Sequence, residues 1–138
     1  SSLGVEVTMS IIKHTNIIFS IPPSVNACWR SVKGRTILSK EYRAWKADNL
    51  HGPKYGDKIT MLQKPCDVTI NIHRGYNWRK CDIDNRIKPV LDQLKYCGYI
   101  KDDDSDHIRS VCIRLSIPAG EGMETYVSID LVPCEEEC

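Results

Sequence analysis

The sequence lacks any apolar run that approaches the roughly 20 residues of a membrane-spanning helix. Its start lacks a basic segment followed by an apolar one, so we expect no secretory signal. Internal repeats are missing, and an acidic tail is the one biased tract. These absences argue against a membrane protein, a secreted protein and a repeat array.

The sequence also lacks any C-x-x-C pair, although it contains seven cysteines. An odd number argues against a disulfide scaffold, and zinc ligation needs close pairs at both ends of a site. Only Cys134 and Cys138 come near such a pair. We therefore expect reduced, partly buried thiols in a cytoplasmic, reducing compartment.

A strong net charge is missing as well, because the formal total is +1. The charges are nevertheless unevenly distributed: residues 28–46 carry six basic residues and one acid, and residues 119–138 carry six acids and no lysine or arginine. Such asymmetry fits a polyanion-binding face opposite an acidic one, and it fits an ordinary solvated surface equally well.

The length of 138 residues and the 41% hydrophobic content predict one domain with a real core. We interpret residues 1–8, which precede Met9, as an expression remnant, residues 9–133 as the domain and residues 134–138 as an acidic tail.

The first half of the chain predicts a strand, a turn and a helix. The segment NIIFSIPP reads as a strand that ends at Pro22 and Pro23. Lys33-Gly34 marks the turn of a hairpin or loop. Ser39 can cap a helix over KEYRAWKADNL, with Tyr42, Trp45 and Leu50 on its apolar side.

The second half predicts three strands and a second helix. CDVTINIHRGY alternates as a half-buried strand, whereas Asn85 to Tyr96 has helical spacing of apolar residues. Asp84 is the expected N-cap, Gly98 the expected stop, and Pro89 should lie in the first turn with a small kink.

HIRSVCIRLSIP and ETYVSIDLVP then alternate as strands around the turn AGEG. The predicted fold class is α/β (α+β), a single two-layer domain with a mixed sheet of about four strands on two helices.

Carboxylates are concentrated in residues 81–106, which hold seven aspartates. Asp82 and Asp84 form a D-x-D in which residues i and i+2 of an extended segment would share a face, about 6.5 Å apart. Oxygen ligands of this kind suit Mg²⁺ or Mn²⁺. Lys88, one helical turn beyond Asp84, can reach the same neighbourhood and hold a phosphate oxygen or orient a water.

Each of these carboxylate signals also has an ordinary explanation. A D-x-D occurs often by chance, and residues 102–106 can be a solvated turn. A calcium loop is excluded, because His107 replaces the required glycine and Ile113 stands where the bidentate glutamate belongs.

Three segments in order resemble one family. PPSVNACWRSVKGRTILSKEYRAWK, then DIDN followed by Lys88, then DQLKYCGYIKDD are similar to the RusA family of Holliday junction resolvases. The resemblance runs from about Phe19 to Leu131. Two positions depart from the family pattern: Cys81 where a basic residue is common, and Pro89 where a helix former is usual.

The resemblance implies a homodimeric, metal-dependent endonuclease that cuts four-way DNA junctions in recombination and repair, with Mg²⁺ as cofactor and Mn²⁺ able to substitute. Carried over by motif, Asp82, Asp84 and Asp103 are metal-binding catalytic acids, Lys88 is the catalytic lysine, and Asp102 is a further metal candidate.

The expected DNA contacts combine the basic residues with the asparagine of the D-x-D-N motif: Arg30, Lys33, Arg35, Arg74, Arg79, Lys80 and Asn85. Two other functions stay open at the sequence level. They are a non-catalytic junction-binding or DNA-binding module of the same fold and a metal-dependent ribonuclease.

Overall fold

The computed structural model describes residues 14–134. The expected expression remnant at 1–8 and residues 135–138 of the acidic tail lie outside this range. We number the elements β1 (His14–Ser20), β2 (Trp29–Val32), β3 (Arg35–Leu38), α1 (Lys40–Asp48), β4 (Cys66–His73), α2 (Ile87–Cys97), β5 (Ile108–Leu115) and β6 (Tyr126–Pro133). Short 3-10 helices cover Val25–Ala27, Pro53–Tyr55 and Ile83–Arg86.

The main sheet has four strands in the order β1-β6-β4-β5. β6 is antiparallel to both β1 and β4, whereas β4 and β5 are parallel. Parallel neighbours need a long crossover, which α2 supplies here. The predicted mixed four-stranded sheet with two helices is confirmed. The two strands that flank the AGEG turn are confirmed too, with β4 lying between them in the sheet.

The core lies between the sheet and the helices. Val68, Ile70 and Ile72 alternate along β4 and are fully or almost fully buried, as the period of two predicted. α2 contributes Val90 and Leu94 to the same cluster. Burying one such side chain contributes about 1.5–3 kcal/mol, so this layer fixes β4 and α2 relative to each other.

α1 begins as the sequence indicates. The Ser39 side chain accepts a hydrogen bond from the Tyr42 N–H at 3.1 Å, which confirms the predicted N-cap. Tyr42 and Trp45 are buried against the core. The helix ends at Asp48, so the inclusion of Leu50 on its apolar side was wrong, and Leu50 is 40% exposed.

α2 begins later than predicted, which corrects the assignment of Asp84 as its N-cap. Asp84 lies inside the 3-10 helix Ile83–Arg86, and the α-helix starts at Ile87. Pro89 explains the difference, because it has no N–H to donate to the Asn85 carbonyl, as a helix starting at residue 85 would require. Gly98 ends α2 with a φ of 88°, as predicted.

β2 and β3 form a separate two-stranded sheet. Lys33 and Gly34 make its turn with φ values of 51° and 75°, the geometry that favours two-residue hairpins. Trp29 pairs with Leu38, and both pack against the core. Arg30 and the other residues of alternate parity therefore face solvent.

The cysteines are mostly free thiols, as expected. Of the six cysteines between residues 14 and 134, five are free, and three of these are buried: Cys28, Cys66 and Cys97. Cys134 is disulfide-bonded, so the expectation of a reduced thiol was wrong at that position. Among the described residues no helix is both long and apolar enough to cross a bilayer.

Candidate functional site

The segment that follows β4 is fastened to the segment that precedes β6. The Ala119 N–H donates to the Arg74 carbonyl at 2.9 Å, and the Tyr76 N–H donates to the Met123 carbonyl at 3.0 Å. The Gly75 N–H donates to the Thr125 hydroxyl at 2.9 Å. A side chain at Gly75 would collide with backbone atoms of residues 123–125. The segment that leads into the D-x-D motif is therefore hydrogen-bonded to the segment that precedes β6.

Asp82 and Asp84 are exposed at the end of this segment. Asp82 is extended, with φ −74° and ψ 122°, and it directly precedes the 3-10 helix that contains Asp84. The extended geometry expected for both residues therefore holds at Asp82 and was wrong at Asp84. Neither carboxylate forms a hydrogen bond or ion pair with any residue from 14 to 134. Both are available to an outside partner.

Asn85 and Arg86 fix this turn to its surroundings. The Asn85 N–H donates to the Asp82 carbonyl at 3.2 Å. Arg86 donates from Nη1 to the Pro22 carbonyl, and its Nε is buried without a partner in the described part of the chain. The 3-10 helix Val25–Ala27, just before β2, also packs against this turn. The β2–β3 hairpin therefore begins next to the turn that carries Asp82 and Asp84.

Lys88 lies on α2 between two other carboxylates. Its Nζ donates to Asp103 Oδ2 at 2.7 Å and forms an ion pair with Asp92 Oδ1 at 3.1 Å. The ion pairs of Lys88 are thus formed with these two aspartates, and its role beside Asp84 stays a prediction. Hydrogen bonding to Asp103, followed by that to Asp92, raises the pKa of Lys88 against the opposing effect of burial. Lys88 is therefore a cation at neutral pH.

Asp92 and Tyr42 are the contacts that the sequence reasoning missed. The Tyr42 hydroxyl donates to Asp92 Oδ2 at 3.0 Å. Burial, followed by the charge of Asp92, raises the pKa of Tyr42. The Lys88–Asp92 spacing of four residues was a readable signal for an ion pair on a helix. The contact with Tyr42 spans fifty residues and had no sequence signal.

Asp102 and Asp103 follow Gly98 on a segment that returns along α2. They face different lysines: Asp102 pairs with Lys95 at 3.2 Å, and Asp103 pairs with Lys88 at 2.7 Å. The Asp102 carboxylate also accepts the Asp103 N–H at 2.8 Å. These hydrogen bonds, the backbone one first, lower the pKa of Asp102. The structure thus separates the two aspartates by their partners.

The donor set suits a hard divalent cation. Within residues 14–134 no three His, Cys, Asp or Glu side chains are grouped closely enough to hold a metal ion. Mg²⁺, however, is usually held by one or two protein carboxylates together with waters and substrate phosphates. The unpaired carboxylates of Asp82 and Asp84 meet that requirement, and Asp103 lies on the segment after Gly98, where it pairs with Lys88 of α2.

Exposed basic side chains occur in two groups. Three belong to the hairpin, and three belong to the segment after β4. All six are exposed and form no ion pair with a described residue: Arg30, Lys33, Arg35, Arg74, Arg79 and Lys80. Unpaired cations of this kind are free to bind phosphates.

A family model described as endodeoxyribonuclease RusA matches residues 20–130. No curated protein sequence matches the chain. The match begins at the end of β1, ends within β6, and contains every candidate residue described above.

Proposed function

The chain belongs to the RusA endodeoxyribonuclease family, and on that premise we propose that it is a Mg²⁺-dependent resolvase of four-way DNA junctions. It would act in DNA recombination and repair, inside the cytoplasm. The observation that carries the proposal is the pair of exposed, unpaired carboxylates, Asp82 and Asp84, one turn before a lysine that remains charged.

Asp82, Asp84 and Asp103 would hold the cation, with Asp102 as a further candidate. The bound ion would lower the pKa of a water and neutralise charge on the scissile phosphate, and Mn²⁺ would substitute. Lys88 has three N–H donors, of which Asp92 and Asp103 use two. Its side chain is 50% exposed, so the third donor can reach a phosphate oxygen as charge develops there.

DNA would be held by the unpaired cations of the hairpin and of the segment after β4, with Asn85 beside the carboxylates. Contacts of this type go to phosphates, fix the register of the duplex and leave the base sequence unread. Affinity should then fall steeply with salt, with a slope set by the number of phosphates neutralised. Structure selectivity would come from the spacing of these cations.

A homodimer would match the substrate. A four-way junction has near two-fold symmetry, and a two-fold dimer presents two equal sites to opposed strands. Paired cleavage of the two strands follows from that symmetry.

The test incubates the protein with a mobile four-way junction and with a linear duplex of the same sequence, with and without Mg²⁺. We expect paired incisions in the junction alone, and only with Mg²⁺. Asp82→Asn should abolish cleavage and keep junction binding within a few-fold, because affinity comes mostly from the cations.

Asp106→Asn is the matched control, since Asp106 is exposed and lies in the same acidic region. This variant should cleave the junction at the normal rate. Junction binding without cleavage in any divalent metal would identify a non-catalytic DNA-binding module. Faster cleavage of a matched RNA would identify a ribonuclease.

A further inference from the structure

The two carboxylates that hold Lys88 are supported very differently. Asp92 Oδ1 faces the lysine, and Asp92 Oδ2 accepts the Tyr42 hydroxyl at 3.0 Å. Asp103 pairs with Lys88 and interacts with the neighbouring Asp102 side chain, and within residues 14–134 no buried donor binds its carboxylate. Asp92 is therefore held by a buried donor as well as by Lys88, whereas Asp103 is held by Lys88 and by its neighbour Asp102.

Tyr42 is a rigid support. It is completely buried, lies on the capped helix α1, and packs edge-on against Trp29 with ring centroids 5.4 Å apart. Because its pKa is raised, the phenol keeps its proton and remains a donor at every physiological pH. A buried donor of fixed position restricts the rotamer of the carboxylate that it binds.

The charges around Lys88 do not balance. One ammonium lies between two carboxylates whose side chains are 21% and 17% exposed, so the group carries a net charge of −1. An added cation would therefore be attracted to it, and of the two carboxylates Asp103 is the one that no buried donor holds within residues 14–134. Lys88 would then depend on Asp92 alone to stay beside the phosphate.

We propose that Asp92, braced by the buried Tyr42 hydroxyl, is the positioning residue for Lys88 and holds its ammonium in place whether or not Asp103 remains bound to it. This inference rests on the proposed function, in which Lys88 contacts the reacting phosphate. Neither Asp92 nor Tyr42 touches substrate in this arrangement. Their effect passes through the orientation of Lys88.

The experiment has a readout in the metal-free protein without DNA. Nitrogen-15 NMR of the Lys88 ammonium group reports its order, and Lys95 serves as the internal reference because it is paired and equally exposed on the same helix. We expect Lys88 to become mobile in Asp92→Asn and in Tyr42→Phe, and to stay ordered in Asp103→Asn. Lys95 should not change in any of them.

The second readout is single-turnover cleavage of the junction. Asp92→Asn should lower the rate about 10–100-fold, as loss of an orienting partner typically does, while the junction Kd changes less than about 2-fold. Asp92→Glu, which keeps the charge, should recover part of the rate. Asp48→Asn, an exposed aspartate at the end of α1, should match the wild type.

Unchanged order of Lys88 in Asp92→Asn would overturn the proposal, and so would a Lys88 that loosens only in Asp103→Asn. Tyr42→Phe removes a single oxygen, so it keeps the test valid if Asp92→Asn fails to fold. A wild-type protein that does not cleave the junction would contradict the proposed function alone, because the NMR comparison would still decide whether Asp92 holds Lys88.

Discussion

Lys88 and Asp103 lie fifteen residues apart in the sequence, and their side chains meet at 2.7 Å. The contact joins the second residue of α2 to the segment that returns from its far end. One face of α2 therefore carries two lysine–aspartate pairs, Lys88 with Asp103 and Lys95 with Asp102. The first pair lies nearer to the D-x-D, because Lys88 is on the first turn of the helix that follows it.

This arrangement orders the acidic residues by their expected importance. We predict that cleavage activity decreases from wild type to Asp104→Asn, then Asp102→Asn, and is lowest in Asp103→Asn. Asp103 contacts the candidate catalytic lysine, whereas Asp102 acts through the Asp103 N–H, a supporting role in which losses are typically about 10–100-fold. Asp104 binds His107 and should matter least.

Single-turnover cleavage at saturating junction is the measurement. If Asp102→Asn were inactive and Asp103→Asn active, the assignment of the two neighbouring aspartates would have to be exchanged.

Replacing Lys88 should separate catalysis from metal binding. We predict that Lys88→Ala lowers turnover about 100-fold or more, the usual cost of losing a donor aimed at developing charge. Apparent Mg²⁺ affinity should change little, because an ammonium cannot ligate a cation. The measurement is the single-turnover rate as a function of Mg²⁺ concentration.

Lys95→Ala is the matched control for Lys88→Ala, since the two side chains are 48% and 50% exposed and each pairs with one aspartate of the return segment. A near-wild-type rate for Lys88→Ala would show that it is an ordinary helix-surface lysine.

Local rules predicted most elements of this fold. The alternation along β4, the Ser39 cap and the Gly98 stop depend on neighbours within four residues, and all three are confirmed. The wrong start of α2 was a local error too, since Pro89 already excludes the hydrogen bond to Asn85 that an earlier start needs.

The candidate site was less predictable, because its contacts cross the chain. Which carboxylates surround Lys88 depends on the path of the segment after Gly98, and tertiary packing sets that path. The hydrogen bond from Tyr42 to Asp92 depends on how α1 packs beside α2, and no residue spacing in the sequence predicts that packing. The roles of Asp82 and Asp84 remain predictions that mutagenesis will decide.

The buried thiols should make the folded protein less stable at alkaline pH. Burial raises the pKa of Cys28 and of Cys66 to about 11, from the usual 9.0. The folded state then binds more protons than the unfolded state between about pH 9 and 11, so the free energy of unfolding should fall as pH rises through that window. A pKa difference of two units corresponds to a loss of at most about 2–3 kcal/mol in the free energy of unfolding per thiol.

Chemical denaturation at pH 8 and at pH 10 measures this loss. Cys66→Val should reduce the pH dependence, because it removes one titrating group from the core. Thiol labelling at pH 8 gives an independent check: Cys112, which is exposed, should react well before Cys28 and Cys66. Equal labelling of all three would show that the core opens freely.

Gly75 should be required for the geometry of the basic segment after β4. A Cβ at this position would collide with the Met123 carbonyl oxygen and with backbone atoms of the next two residues, which cannot move aside as a side chain can. We predict that Gly75→Ala lowers the free energy of unfolding by about 1–3 kcal/mol. Junction affinity should fall as well, because Arg74 and the nearby cations shift.

Gly120→Ala, on the segment that precedes β6, is the matched control. The nearest atom to its Cβ would be the Met123 sulfur at 3.0 Å, which belongs to a flexible side chain. Its stability should stay close to wild type. Urea denaturation and junction binding at two salt concentrations compare the variants. Gly75→Ala could instead prove as stable as Gly120→Ala and bind the junction equally well. The contact between the segment after β4 and the segment before β6 would then be unimportant both for stability and for DNA binding.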